Sequence, residues 1–132
     1  MSIEERGAQL TQSLRELASS EGFSDEQRVH LITHSFTGVD SRAALSLFGA
    51  SSIVRSLTTV CSPHHGMRLV DNAFKHPLHH SLEMCEKAIE AVGLTQKSVQ
   101  EFSTSNIKDF NKVAEDVEGV KYFSIGSHKA QL

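Results

Sequence analysis

Cysteine is scarce in this chain of 132 residues. Its two copies, Cys61 and Cys85, are too few for a disulfide framework. Cys61 closes an apolar run and Cys85 falls in a helical pattern, so both read as small buried hydrophobes. A reducing, intracellular setting is the inference. Also lacking is any excess of basic charge. Thirteen Lys and Arg are scattered among sixteen Asp and Glu, for a formal net charge of -3 and a pI near 6.2. The electrostatic footprint of a nucleic-acid binder is therefore missing, and no nucleic-acid partner is expected. No apolar run approaches the roughly 20 residues that span a bilayer. The start, Met1-Ser2-Ile3-Glu4-Glu5-Arg6, has no apolar signal core and is too acidic for a transit peptide. With 39% apolar and 22% charged residues and a mean hydropathy of -0.24, the composition is globular, with little apolar surplus for a core. No repeat, low-complexity tract or linker divides it, so residues 1–132 read as one domain.

What is there alternates between helix and strand. Ser2 and Glu5 form a capping box, after which Ile3, Leu10, Leu14 and Leu17 recur at helical spacing until about Ser19–Gly22. Val29 to Thr33 reads as a strand with too few polar interruptions to be half-exposed, hence buried. Val39, Ala43, Ala44, Leu47 and Phe48 suit a helix packed on a sheet, with Gly49 at the C′ position. Ile53 to Cys61 is a second strand, broken by Ser62-Pro63. Leu78, Leu82, Cys85 and Ile89 give a second helical stripe ended by Gly93, and Ile107, Phe110, Val113 and Ala114 mark a further helix. Val120 to Ile125 is a third strand. This order implies right-handed crossovers and a parallel sheet with helices on its faces. Three strands make a thin sheet with open edges, so the chain reads as the middle of a larger domain, able to self-associate through those edges.

The first strand runs straight into Thr33-His34-Ser35-Phe36-Thr37-Gly38 and then a helical pattern. A serine on such a strand-to-helix turn is the nucleophile elbow of α/β-hydrolases, which lifts the hydroxyl out of the sheet for attack on a carbonyl. The backbone N–H of the next residue, here Phe36, supplies an oxyanion donor, and the helix start adds its positive dipole end. The elbow signature is G-x-S-x-G because strand and helix approach closely around the turn. Here those two positions are Thr33 and Thr37, with Gly38 one step later. Branched side chains at both predict strain in the turn.

The stretch from Arg28 to Gly66, RVHLITHSFTGVDSRAALSLFGASSIVRSLTTVCSPHHG, resembles the triacylglycerol lipase family of α/β-hydrolases, particularly its fungal and bacterial true-lipase branch. The matching features are His34-Ser35, Gly38, Asp40 and Arg42, then Ser56-Leu57-Thr58-Thr59, and Pro63-His64 with Gly66. Ile107-Lys108-Asp109-Phe110-Asn111 and Gly119 to Ser124 look like that family's later segment. The resemblance implies an incomplete α/β-hydrolase fold, α/β in class, with a short parallel sheet flanked by helices. It implies a carboxylic-ester hydrolase acting through Ser35, with the Phe36 amide as oxyanion donor, on a lipid or other ester, with no cofactor and no metal. The family's other oxyanion donor lies in a His-Gly loop upstream of the matching region, and its catalytic aspartate and histidine lie beyond it. The chain as given thus reads as a truncated or inactive form, and the alternative is a catalytically silent interaction or lipid-surface module.

An internal triad would need Asp71, Asp109 or Asp116 followed by His128, which satisfies the hydrolase order but little else. His64, His65, His76, His79 and His80 invite a metal hypothesis, but no acidic or cysteine partner completes a zinc pattern, so they read as loop histidines. His64 reads as a structural loop residue beside the serine. Asp40 suits the first turn of the elbow helix, with Arg42 paired to it or to the sheet edge. Residues 67–92 stand where lipases carry a mobile lid. Leu78, Leu82, Met84, Cys85, Ile89 and Val92 would supply its apolar face, and an ordinary packed helix fits the same spacing.

Overall fold

The computed structural model describes residues 1–24, 26–75 and 95–127. The elements are α1 (Ile3–Ser20), β1 (Val29–His34), α2 (Thr37–Leu47), a 3-10 turn (Ala50–Ser52), β2 (Val54–Val60), α3 (Arg68–Lys75), α4 (Gln96–Gln100), α5 (Thr104–Val113) and β3 (Lys121–Ile125). The helical stripe of residues 78–93, the lid residues within it, Cys85, and the histidines at 76, 79, 80 and 128 lie outside the described residues.

All three strands run parallel in the order β1-β2-β3. The register sets Leu31 beside Leu57 and Tyr122 on one face, and Ile32 beside Thr58 and Phe123 on the other. The first face meets the helices: Leu57 is 1% exposed and packs with Leu14, Ala44, Leu45, Ala50 and Val54, with Leu31 and Tyr122 against them. Fully burying Leu45 or Leu57 contributes about 2 kcal/mol each. On the opposite face Ile32 is 77% exposed and Phe123 and Ile125 are each 55% exposed. That corrects the expectation of a buried first strand. Among the described residues β1 alternates between half-buried and exposed positions, and the helices form one layer. A run of apolar residues cannot by itself distinguish a strand covered on both sides from one covered on one side.

The Ser2–Glu5 capping box starts α1. Its buried residues, however, are Ile3, Gly7, Thr11 and Leu14, whereas Leu17 is exposed. Gly7 sits at the stripe's tightest point: a Cβ there would come within 2.8 Å of the Ala43 Cβ on α2. Gly49 takes its left-handed C′ place after α2, with φ +75. Ile107, Phe110 and Ala114 of the α5 segment are buried with Ile3, Val39, Ala43 and Phe102, while Val113 faces out.

Asp40 does not pair with Arg42, one of the two options read from the sequence. Arg6 of α1 holds the Asp40 carboxylate through two hydrogen bonds, at 2.9 and 3.0 Å. The side chains are only 12% and 8% exposed, and Glu101 lies 3.7 Å from the same guanidinium. Burial raises the Asp40 pKa above its ordinary value of 3.8, outweighing the Arg6 hydrogen bond and charge that lower it. Removing one partner from such a pair leaves an uncompensated charge. Asp40→Ala should therefore destabilise the fold by about 3 kcal/mol in urea titration. Asp109→Ala, which breaks an exposed pair with Lys112, should leave the midpoint unchanged.

Candidate active site

β1 ends at His34 and α2 begins at Thr37, so Ser35 and Phe36 alone make the reversal. Ser35 has φ +57, a left-handed conformation that costs a non-glycine residue about 1–2 kcal/mol. Three hydrogen bonds hold it there. The Ser35 N–H extends the parallel ladder one step beyond the strand, donating to Val60 O at 2.9 Å. Its carbonyl accepts from Gly38 N–H at 3.2 Å, and Thr37 Oγ1 donates to His34 O at 2.8 Å. Phe36 caps α2 in helical geometry with no side-chain cap. Among the described residues no acceptor takes its N–H.

The two threonines behave differently from each other. Thr37 is exposed, so its side chain stands outside the turn and ties it down. The close approach that the elbow pattern assigns to a glycine falls instead on Gly38, where a Cβ would lie 2.7 Å from the Ser62 Cβ and 3.0 Å from the Thr59 Cγ2. Thr33 is half-buried on the helix-facing side of β1, and its Oγ1 is a buried atom without a hydrogen-bond partner among the described residues. The expected strain thus sits in the Ser35 backbone and in this orphaned hydroxyl, and Thr37 adds a hydrogen bond.

Next to Ser35 the neighbouring strand ends in a similar way. Cys61 follows β2 with φ +51, and its N–H donates to Ile125 O at 2.8 Å. It is exposed, which overturns the reading of Cys61 as a buried hydrophobe. The apolar run stops one residue earlier than the cysteine, and the sharp turn before Ser62-Pro63 throws the side chain outward.

His64 sits beneath this rim. Its Nε2 lies 2.8 Å from Thr59 Oγ1, its carbonyl accepts from Asn111 Nδ2 at 2.9 Å, and its Nδ1 is buried without a partner among the described residues. Burial lowers its pKa below the ordinary 6.5, with the charges of Arg42 and His65 adding to that effect and Asp116 opposing it. Arg42 donates to Asn111 Oδ1 and Ala114 O, both at 2.7 Å. A cleft of about 300 Å³ lies among Arg42, His64, Asn111, Asp116 and Tyr122. Its lining does not include Ser35, and its polar groups largely bond one another.

Among the described residues no side chain hydrogen-bonds the Ser35 hydroxyl. The three carboxylates that fit a triad by order each have another setting. Asp71 accepts from the Thr104 N–H at 3.0 Å and from its hydroxyl at 2.7 Å, anchoring the start of α5. Asp109 holds Lys112 at 2.6 Å, and Asp116 lines the cleft beside Arg42. Sequence reasoning missed one further group. The Phe36 ring stacks on Phe102, with centroids 4.3 Å apart and planes 27° apart, a contact 66 positions apart in sequence that no local pattern announces.

Parallel strands with a helix layer, and a serine at the strand-to-helix reversal, make this part of an α/β-hydrolase fold of the lipase and esterase kind. The solved structures agree. The chain is similar to Bacillus licheniformis lipase BlEst2 in its mature form, at 26% identity and a TM-score of 0.75, over 94% of this chain and 47% of that one. It is similar to the same lipase in its propeptide form, at 26% identity and a TM-score of 0.71, over 94% of this chain and 26% of that one. The chain therefore spans less than half the length of the lipase chains it matches. No protein-family model matches the sequence, and no curated protein matches it.

The half-buried His64 makes a pH prediction. Its folded pKa lies below 6.5, so the unfolded chain binds the proton more tightly. Its contribution is present in full above about 6.5 and is lost as pH falls through the folded value. The urea midpoint should drop on acidification below about pH 6.5 more steeply in the wild type than in His64→Gln. Parallel slopes would show that other groups carry the acid sensitivity.

Proposed function

We propose that this chain carries the nucleophile of a carboxylic-ester hydrolase of the lipase and esterase class. The single observation that carries the proposal is the left-handed φ of Ser35 in a two-residue reversal from β1 to α2. That turn stands outside the carboxyl ends of parallel strands, where open α/β sheets bind their ligands. In this reading the Ser35 hydroxyl attacks the acyl carbon as its proton passes to a base. The Phe36 N–H meets the oxygen on which charge develops. Collapse expels the alcohol, which takes the proton from the base, and water then releases the acid from Ser35.

The base, its carboxylate and a second oxyanion donor are assigned, on the resemblance to triacylglycerol lipases, to polypeptide outside residues 1–132. The substrate is an ester of a lipid or a smaller acid, and a lipid surface is the expected setting. Open sheet edges offer a route to self-association. The second reading is a silent lipase-like interaction or lipid-surface module. It is favoured by the absence, among the described residues, of any base reaching Ser35, and by the apolar face of Ile32, Phe123 and Ile125.

Intact mass after treatment with a fluorophosphonate separates the two. An intact oxyanion hole and binding leave roughly a thousandfold acceleration over water when triad members are gone. With one of the two donors also outside residues 1–132 less than that remains, so the chain should take up a single adduct only slowly. Ser35→Ala should take up none. A folded chain that stays unmodified would sink the nucleophile assignment and leave the silent module.

A further inference from the structure

Phe36 is the residue whose amide the proposed reaction uses, and it is held at both ends. Its ring lies on Phe102, with centroids 4.3 Å apart. Its carbonyl accepts from the N–H groups of Val39 at 3.0 Å and Asp40 at 3.3 Å. Phe102 is fully buried and fixed in its own backbone, donating to Val99 O at 2.9 Å and accepting from Met67 N at 2.8 Å. The Arg6 guanidinium lies 5.6 Å from the Phe102 ring centroid, and it also donates two hydrogen bonds to Asp40, one turn along α2 from Phe36. Helices α1 and α2, and the junction of α4 with α5, therefore converge on the one residue that follows Ser35.

We infer that Phe102 is a positioning residue for the Ser35 site, setting through the ring stack the orientation of the Phe36 peptide N–H. A phenylalanine has two side-chain torsions, so clamping its ring fixes Cβ and restricts rotation of the peptide about N–Cα. Hydrogen bonds weaken steeply as they bend, and an oxyanion donor is effective because it is aimed before the charge appears. The Phe36 N–H, without an acceptor among the described residues, is the group such a clamp would aim. The inference rests on the reading of Ser35 as the nucleophile.

Fluorophosphonate labelling of the 132-residue chain tests it. In that reaction the Ser35 Oγ–P bond forms as the P–F bond breaks, fluoride leaving and the hydroxyl proton passing to solvent. A concentration series separates reagent affinity from the phosphonylation step. Phe102→Leu keeps an apolar side chain without the ring, Phe102→Tyr keeps the ring, and Phe110→Leu removes a ring from the same core cluster. Phe102→Leu should slow the phosphonylation step about tenfold, short of the roughly hundredfold expected for losing a donor outright, with affinity unchanged. Phe102→Tyr should stay within about twofold of the wild type, and Phe110→Leu should lower Tm without slowing the step. Equal slowing in both leucine variants, or none in Phe102→Leu, overturns the inference. If Phe102→Leu does not fold, Phe36→Leu removes the same stack from the other side and should slow the step alike.

A second readout does not need the reaction. The backbone ¹⁵N order parameter of Phe36 should fall in Phe102→Leu and hold in Phe110→Leu, and an unchanged value in Phe102→Leu overturns the inference. A chain that leaves Ser35 unlabelled while that order parameter falls as expected counts against the nucleophile alone.

Discussion

The Ser35 N–H bonds Val60 O at 2.9 Å, carrying the β1–β2 ladder one residue past the end of the strand. The chain must then turn back at once, because α2 starts two residues later and its first turn runs against Ser62. A left-handed Ser35 is the local solution, and Gly38 is what makes the approach possible. The position of α2, and with it the helix layer, follows from this reversal. Displacing α2 would also break the Arg6–Asp40 pair and open the contact between Gly7 and Ala43.

Strain of about 1–2 kcal/mol at one residue persists only where the surroundings over-determine it. Here they do so through the ladder hydrogen bond, the Thr37 side chain on His34 O, and the stacked Phe36 ring. Cys61 repeats the left-handed conformation after β2, so two adjacent parallel strands end in strained turns on the same rim. The orphaned Thr33 Oγ1, Ser62 Oγ and His64 Nδ1 all belong to residues packed at or near that end of the sheet. Among the described residues, unsatisfied buried polar atoms and left-handed non-glycine residues thus gather at the end of the sheet that carries the serine.

Much of this was legible in the sequence, for identifiable reasons. The capping box at Ser2 and Glu5, the C′ glycine at Gly49 and the three strands each have a local chemical signature, and each falls within about one residue of its place. The serine on a strand-to-helix turn was legible because the hydrophobic pattern changes period at His34-Ser35. What the sequence did not disclose depends on contacts between distant segments. An apolar strand reads the same whether one or both faces are covered, which is why β1 reads as buried from its sequence. Arg6 reaches Asp40 across 34 positions and Phe36 meets Phe102 across 66, and neither partner carries a mark of the other. The G-x-S-x-G pattern points to Thr33 and Thr37 together as the points of strain. The closest approach instead falls on Gly38, because the Thr37 side chain projects outward.

The left-handed Ser35 is the claim on which the proposed chemistry stands, and stability measurements on two variants test it without any substrate. Ser35→Ala and Ser35→Gly remove the same hydroxyl and differ in what the backbone tolerates. At an ordinary helix or strand position glycine is the less stable of the two by roughly 0.5–1 kcal/mol. At a φ of +57 the order reverses, and Ser35→Gly should be more stable than Ser35→Ala by about 1 kcal/mol in urea titration. An alanine variant as stable as the glycine variant, or more so, would mean that Ser35 does not occupy the strained turn, and the nucleophile assignment would lose its structural basis.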